Sequence, residues 1–198
     1  KGCKQVLAAI DQALAAGYRP VKVNVCVMKG FNEDELADFV ALTEHKNVDV
    51  RFIEWMPFGG NAWNDQKFLS YADMLDVIKS KHPTLARVGD APNDTSKHWA
   101  VPGWKGRAGF ITSMSENFCS SCNRLRITAD GNLKVCLFDN GEVSLRDLIR
   151  SGPPALVDPI LRELVAATVH KKKKMLGGHG SMYGIAKSDN RSMILIGG

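Results

Sequence analysis

The sequence predicts an α/β fold, with βα units and parallel strands over residues 1–65 and an α+β portion over 66–198. Two observations carry that division. Helical and strand patterns alternate with short connections up to about residue 58, which calls for parallel strands joined by crossover helices. After Pro57-Phe58-Gly59-Gly60 the alternation breaks into short strand-like pieces and separate helices. At 198 residues, with 44% hydrophobic and 24% charged side chains, the chain has enough apolar material for a globular core.

Taken in order, residues 3–16 read as an amphipathic helix, with Val6, Ile10 and Leu14 on one face and Gly17 as its left-handed stop. Residues 21–28 alternate as a strand. Val21, Val23, Val25 and Val27 would face helices, leaving Lys22, Asn24 and Cys26 on the other side, the lumen if the strand belongs to a barrel. A lysine inside needs an anion, because burying an unpaired ammonium is costly. On an edge strand the same lysine would simply be solvated. Asn32 is placed as a helix cap with Glu35 as its reciprocal partner, and Leu36, Phe39 and Val40 as the buried stripe. A second strand covers about 48–56, where Arg51 shares its parity with Ile53 and Trp55 and its facing stays open.

Beyond the break, Ser70 caps a helix to about Lys81, stapled by Leu69 and Met74. Strand-like pieces follow at 84–88, 98–101, 108–114, 127–129 and 133–137, with Asp130-Gly131-Asn132 as the hairpin turn between the last two. Ser144 opens a short helix. Pro159 is placed in the first turn of another, with Ile160, Leu161, Leu164 and Val165 buried. The end is glycine-rich, then apolar at Met193-Ile194-Leu195-Ile196 before Gly197-Gly198.

Charge and composition exclude several classes. No apolar run approaches the ~20 residues that cross a bilayer. A net charge of +5 favours anionic ligands but is too small to indicate nucleic acid. The one basic run, lysines 171–174, falls at a predicted helix end, where cations suit the macrodipole. Five cysteines give no disulfide framework, which fits a reducing intracellular compartment. Cys3 and Cys26 read as ordinary core thiols.

The remaining three form a pattern. Cys119-Ser-Ser-Cys122 is followed, after thirteen residues, by Cys136 on the return strand of the hairpin. Thiolates ligate soft metals, and three of them suit an iron–sulfur cube whose fourth iron lacks a protein ligand. Structural zinc, with His98, His170 or His179 as a fourth ligand, fits the same residues, as do a redox pair and inert thiols. Arg124 and Arg126, two apart on a strand, would project to one face beside the cysteines. Their planar forks match phosphate or carboxylate, unless they pair with Glu116 or Asp130.

The combination Phe118-Cys119-x-x-Cys122-Asn123-Arg124-x-Arg126, with Gly131, Cys136-Leu137, Arg51-Phe52-Ile53-Glu54-x-Met56 and a terminal Gly-Gly, resembles the C-terminal part of the GTP 3′,8-cyclases. These are the radical S-adenosylmethionine enzymes that open molybdenum cofactor (molybdopterin) biosynthesis. The resemblance covers essentially the whole chain. It implies an incomplete (β/α)6 barrel, its last units in residues 1–65, capped by a domain over 66–198 that carries a second [4Fe–4S] cluster. It implies Cys119, Cys122 and Cys136 as ligands of that cluster, with an open iron that contacts GTP. Lys22, Arg51, Arg124, Leu125 and Arg126 are then GTP-binding residues, Met56 lines the S-adenosylmethionine site, and Gly197 and Gly198 form a tail entering the active site.

In that family the first cluster cleaves S-adenosylmethionine to a 5′-deoxyadenosyl radical, which takes hydrogen from C3′ of GTP before C3′ joins C8. The cluster making the radical uses a Cys-x-x-x-Cys-x-x-Cys motif that does not occur here, so the 198 residues alone are expected to be inactive. Expected partners are GTP, S-adenosylmethionine and an electron donor, without nucleic acid or membrane; a homodimer is admitted. The resemblance also implies the mitochondrial matrix for a eukaryotic source and the cytoplasm otherwise. Two other functions stay open: a zinc-stabilised, non-catalytic module for a phosphorylated ligand, and a Gly-Gly tail activated as in ubiquitin-like sulfur carriers.

Overall fold

The computed structural model describes residues 2–196. It is a mixed α/β chain that divides into two compact units, residues 1–55 with 65–116 and residues 56–64 with 117–198. That division differs from the expected cut near residue 65, and the sheet explains why.

The first unit contains α1 (Gly2–Ala15), β1 (Val21–Val27), α2 (Leu36–Ala41), β2 (Val48–Glu54), α3 (Tyr71–Lys81), β3 (Ala86–Arg87), β4 (Lys97–Ala100) and β5 (Arg107–Ile111). Its five strands run in the order β1-β2-β5-β4-β3. The βα alternation predicted the parallel pairing of β1 with β2. It did not predict that β5 lies parallel on the far side of β2, with Asp49 beside Arg107 and Phe52 beside Phe110. Residues 65–116 therefore complete this sheet. The short, interrupted pieces of 84–111 hid the partnership, since antiparallel β3 and β4 fill the crossover.

One face of the sheet is apolar. Val25, Val27, Val48, Val50, Phe52, Ala108 and Phe110 pack against Ile10 of α1, Leu36 and Val40 of α2, and Met74 and Ile78 of α3. Each fully buried side chain of this size contributes roughly 1.5–3 kcal/mol. The alternation expected for β1 is present, with Lys22, Asn24 and Cys26 exposed on the opposite face. Ser70 caps α3 in a reciprocal box with Asp73.

Several local expectations are corrected. Asn32 makes no side-chain cap; its amide accepts from Met28 N at 2.9 Å and donates to Cys26 O at 3.0 Å, tying down the end of β1. Glu33, rather than Glu35, takes the free N–H groups of that turn, from Gly30 and Phe31. Cys3 and Cys26 are exposed, not core thiols.

The second unit holds β6 (Arg126–Ile127), β7 (Asn132–Lys134), β8 (Val143–Ser144), α4 (Leu145–Arg150), α5 (Pro154–His170), α6 (Met182–Ala186) and α7 (Met193–Ile196). The three strands form an antiparallel sheet in chain order, and the Asp130-Gly131-Asn132 turn closes its first hairpin. Ser144 caps α4 through Asp147 N, as its position suggested. α5 begins at Pro154, so Pro159 lies inside it rather than in its first turn. Of the side chains expected to be buried there, Ile160 is exposed and Leu161, Leu164 and Val165 are half-buried, while Val157 and Thr168 are buried. No helix among the described residues is long and apolar enough to cross a membrane.

Candidate metal and substrate site

The cysteine loop is set by a short turn. A 3-10 turn spans Cys119–Ser121, with Cys122 N donating to Cys119 O at 3.3 Å, and Cys122 then adopts extended backbone. From there the chain runs into β6, and the pairing of Arg126 with Lys134 sends the return strand toward Cys136. All three thiols are half-buried. The Leu176 N–H donates to Cys119 Sγ at 3.3 Å, and Lys172 Nζ to Cys122 Sγ at 3.2 Å.

These surroundings act differently on the two thiols. Burial pushes the Cys119 thiol up against the opposing Leu176 N–H, and the Cys136 and Cys122 thiols add to the rise. Burial acts on Cys122 too, but the Arg124 N–H and the Lys172 ammonium outweigh it and hold that thiol below its ordinary value. The thiols thus lie within one another's electrostatic reach, and two sulfurs accept hydrogen bonds that favour thiolate. Three thiols are donors of the kind that soft metals and iron–sulfur clusters take. Among the described residues, no group of three or more His, Cys, Asp or Glu side chains is gathered that could hold a metal ion.

Only Arg126 lies in β6; Arg124 precedes the strand. Burial still alternates, with Cys122, Arg124 and Arg126 half-buried and Asn123, Leu125 and Ile127 exposed. The Arg124 guanidinium stands 5.2 Å over the Phe118 ring. Its carbonyl accepts from Lys172 Nζ at 2.8 Å. Met56, in the same unit, is buried, and its carbonyl accepts from the Asn61 amide at 2.8 Å. Gly197 and Gly198 lie outside the described residues.

Lys22 and Arg51 belong to the first unit and share the polar face of its sheet, in register through Asp49 and Asn24. Asp49 is fully buried between two arginines: Arg51 Nε and Nη2 stand 3.1 and 2.8 Å from its Oδ2, and Arg107 Nη2 at 3.1 Å. His98 reaches it over Gly109, with Nε2 3.5 Å from Oδ2. A Cβ at Gly109 would collide with Ser96 Oγ, and stand 3.2 Å from the His98 ring, so only glycine leaves this passage open. On its other side, His98 Nδ1 lies 3.0 Å from Asp90, which also pairs with Arg87.

Burial alone would raise the Asp49 carboxyl, but His98, Arg51 and Arg107 outweigh it and hold it well below the usual carboxylate range. Asp90 is likewise held low, chiefly by Arg87. A folded-state pKa below the unfolded one stabilises above the ordinary carboxylate range, about pH 4, and that stability is lost as pH falls. Urea unfolding of the first unit should therefore show a midpoint that drops from pH 7 to pH 3.5. Asp49→Asn should be less stable at pH 7 and less sensitive to acid. Equal acid sensitivity in variant and parent would contradict this assignment.

Sequence reasoning missed Lys172 and Asp49, gave Glu54 no role of its own, and offered His98 only as a zinc ligand, whereas it packs against Asp49 and Asp90. Asp49 could have been found, since it shares parity with Arg51 on a strand and a carboxylate two residues away is its natural partner. Nothing in the lysine run distinguishes Lys172 from its neighbours.

Comparison with known proteins agrees with the motifs. The family model described as Molybdenum Cofactor Synthesis C matches residues 48–177. Molybdenum cofactor biosynthesis protein 1 of Dictyostelium discoideum is 56% identical over 199 residues, covering 99% of this chain and 31% of that protein. The mitochondrial GTP 3′,8-cyclase of Arabidopsis thaliana is 50% identical over 198 residues, covering 100% of this chain and 49% of its own length. The GTP 3′,8-cyclase of Thermodesulfovibrio yellowstonii is 40% identical over 174 residues, 88% of this chain and 53% of its own. The chain thus spans between about a third and about half of these relatives. With two thirds of its length inside the match, the chain belongs to the molybdenum cofactor synthesis C family.

Proposed function

We propose that this chain is the cluster- and substrate-binding portion of a GTP 3′,8-cyclase. That enzyme converts GTP to (8S)-3′,8-cyclo-7,8-dihydroguanosine 5′-triphosphate in the first step of molybdenum cofactor biosynthesis. The first unit is read as the last part of an incomplete radical S-adenosylmethionine barrel, and the second as its cap. The observation carrying this reading is the cysteine loop itself: in a chain of this family, two of the three thiols accept hydrogen bonds and the loop continues directly into Arg124 and Arg126.

Cys119, Cys122 and Cys136 would hold a [4Fe–4S] cluster, which when bound supplies an open iron as Lewis acid for a base. Arg124 and Arg126 would take the nucleotide's anionic groups, each charge-assisted contact contributing about 1.5–3 kcal/mol. Phe118 under the Arg124 guanidinium limits the rotamers that side chain must lose on binding. Leu125, exposed between them, would offer the substrate an apolar contact. On the first unit, Asp49 fixes the Arg51 guanidinium beside Lys22, so two cations face the same side of the sheet. Met56 would line the S-adenosylmethionine site, and Gly197 and Gly198 would approach the substrate without side-chain bulk. Lacking a Cys-x-x-x-Cys-x-x-Cys motif, the chain alone would bind GTP without turning it over.

The test compares nucleotides. After anaerobic reconstitution with iron and sulfide, GTP should perturb the electron paramagnetic resonance of the reduced cluster, and ATP much less. Equal perturbation by both, or none by GTP, would sink the guanine assignment.

A further inference from the structure

The segment after α5 is built onto the cysteine loop. Lys172 Nζ bridges Cys122 Sγ at 3.2 Å and Arg124 O at 2.8 Å, so one ammonium links a cysteine sulfur to the backbone of the adjacent arginine. Four residues on, the Leu176 N–H donates to Cys119 Sγ at 3.3 Å, while the Leu176 side chain is 3% exposed. Leu176 and Gly177 both have positive φ, 46° and 65°. A Cβ on Gly177 would come within 2.8 Å of Asp139 N, so the turn is pressed against the chain just beyond Cys136. His179 Nε2, 3.0 Å from Phe138 O, and Lys173, 3.7 Å from Asp139, fasten the same stretch. Backbone conformation of this kind persists only where surrounding contacts hold it.

A helix end that merely needed solvation would leave its lysines in water. Lys171 and Lys174 are exposed in that way, whereas Lys172 is half-buried against a sulfur. Hydrogen bonds and positive charge at thiolate sulfurs stabilise the more reduced, more negative state of an iron–sulfur cluster. We propose that Lys172 is a positioning residue of the cysteine site: it raises the reduction potential of the cluster held by Cys119, Cys122 and Cys136, and it fixes Arg124 in register with Cys122. The inference rests on the cluster reading above and adds to it a residue outside the ligand set.

The test is a redox titration of the reconstituted chain, followed by electron paramagnetic resonance, on the parent and three variants. Lys172→Met should lower the midpoint potential by about a tenfold change in the reduction equilibrium, about 59 mV for one electron. Lys172→Arg, which keeps the charge and donors, should restore most of it. Lys174→Met removes an equal charge from the same run without touching sulfur, and should leave the potential unchanged. Loss of cluster uptake confined to Lys172→Met would support the proposal as well. A potential in Lys172→Met equal to the parent's, or an equal shift in Lys174→Met, overturns it while leaving the cluster reading intact. A parent chain that takes up no cluster removes both.

Discussion

Replacing Glu54 by alanine should destabilise the first unit by about 3–5 kcal/mol, the largest effect expected from any single substitution in that sheet. Glu54 ends β2 and is fully buried, yet its carboxyl oxygens take donors from two places in the chain. Oε1 accepts the Tyr71 N–H at 3.0 Å, an N–H at the start of α3 that no helical carbonyl can reach. Oε2 accepts Met114 N at 2.7 Å and Ser115 N at 2.9 Å, and the Ser115 hydroxyl donates to Oε1. Removing the carboxylate strands the buried Tyr71 and Met114 N–H groups, each costing about 1–3 kcal/mol, and frees the partly buried Ser115 N–H, against a total stability of about 5–15 kcal/mol for a domain. Glu54→Gln keeps the volume and one acceptor but turns an amide donor toward other donors, so it should fall between parent and alanine. Urea unfolding gives the stability. Hydrogen exchange at Tyr71, Met114 and Ser115 localises it. A Glu54→Ala variant within 0.5 kcal/mol of the parent would show that water replaces the carboxylate at no cost.

The second large effect is loss of metal. Cys119→Ala, Cys122→Ala and Cys136→Ala should each remove most iron uptake, because a cube held by three thiolates cannot keep its place with two. Cys3→Ala and Cys26→Ala should retain the parent's iron content, both being exposed and away from the loop in the chain. Iron retained at the parent level in all three loop variants would break the assignment.

How far the sequence carried these conclusions can be read from particular elements. The valine alternation of 21–27 and the capped, stapled helix at 71–81 were legible because local periodicity and capping specify them. The place of β5 was not, since pairing with β2 is made across more than fifty residues of chain and leaves no local pattern. Asn32 misled because a cap signature depends on backbone conformation, and here its amide found better partners at the end of β1. Pro159 misled because a proline signals the first turn of a helix, and here another proline, Pro154, already occupies that place five residues earlier.

The candidate site divides in the same way. Cys-x-x-Cys, the hairpin and the neighbouring arginines are local in sequence and were all visible. The bridging role of Lys172 was not, because its partners Cys122 and Arg124 lie about fifty residues earlier. The Asp49–His98 contact crosses one strand, β5, and depends on an absent side chain at Gly109, which no pattern of residue types reports.

X-ray absorption on the anaerobically reconstituted chain, at the iron and zinc edges together, tests the central claim most directly. The account predicts iron and sulfide in equal amounts, with iron–iron scattering at cluster distances and three protein sulfurs to be lost one by one in the cysteine variants. A single zinc ion, tetrahedral and fully ligated by protein, that iron and sulfide do not displace would contradict it.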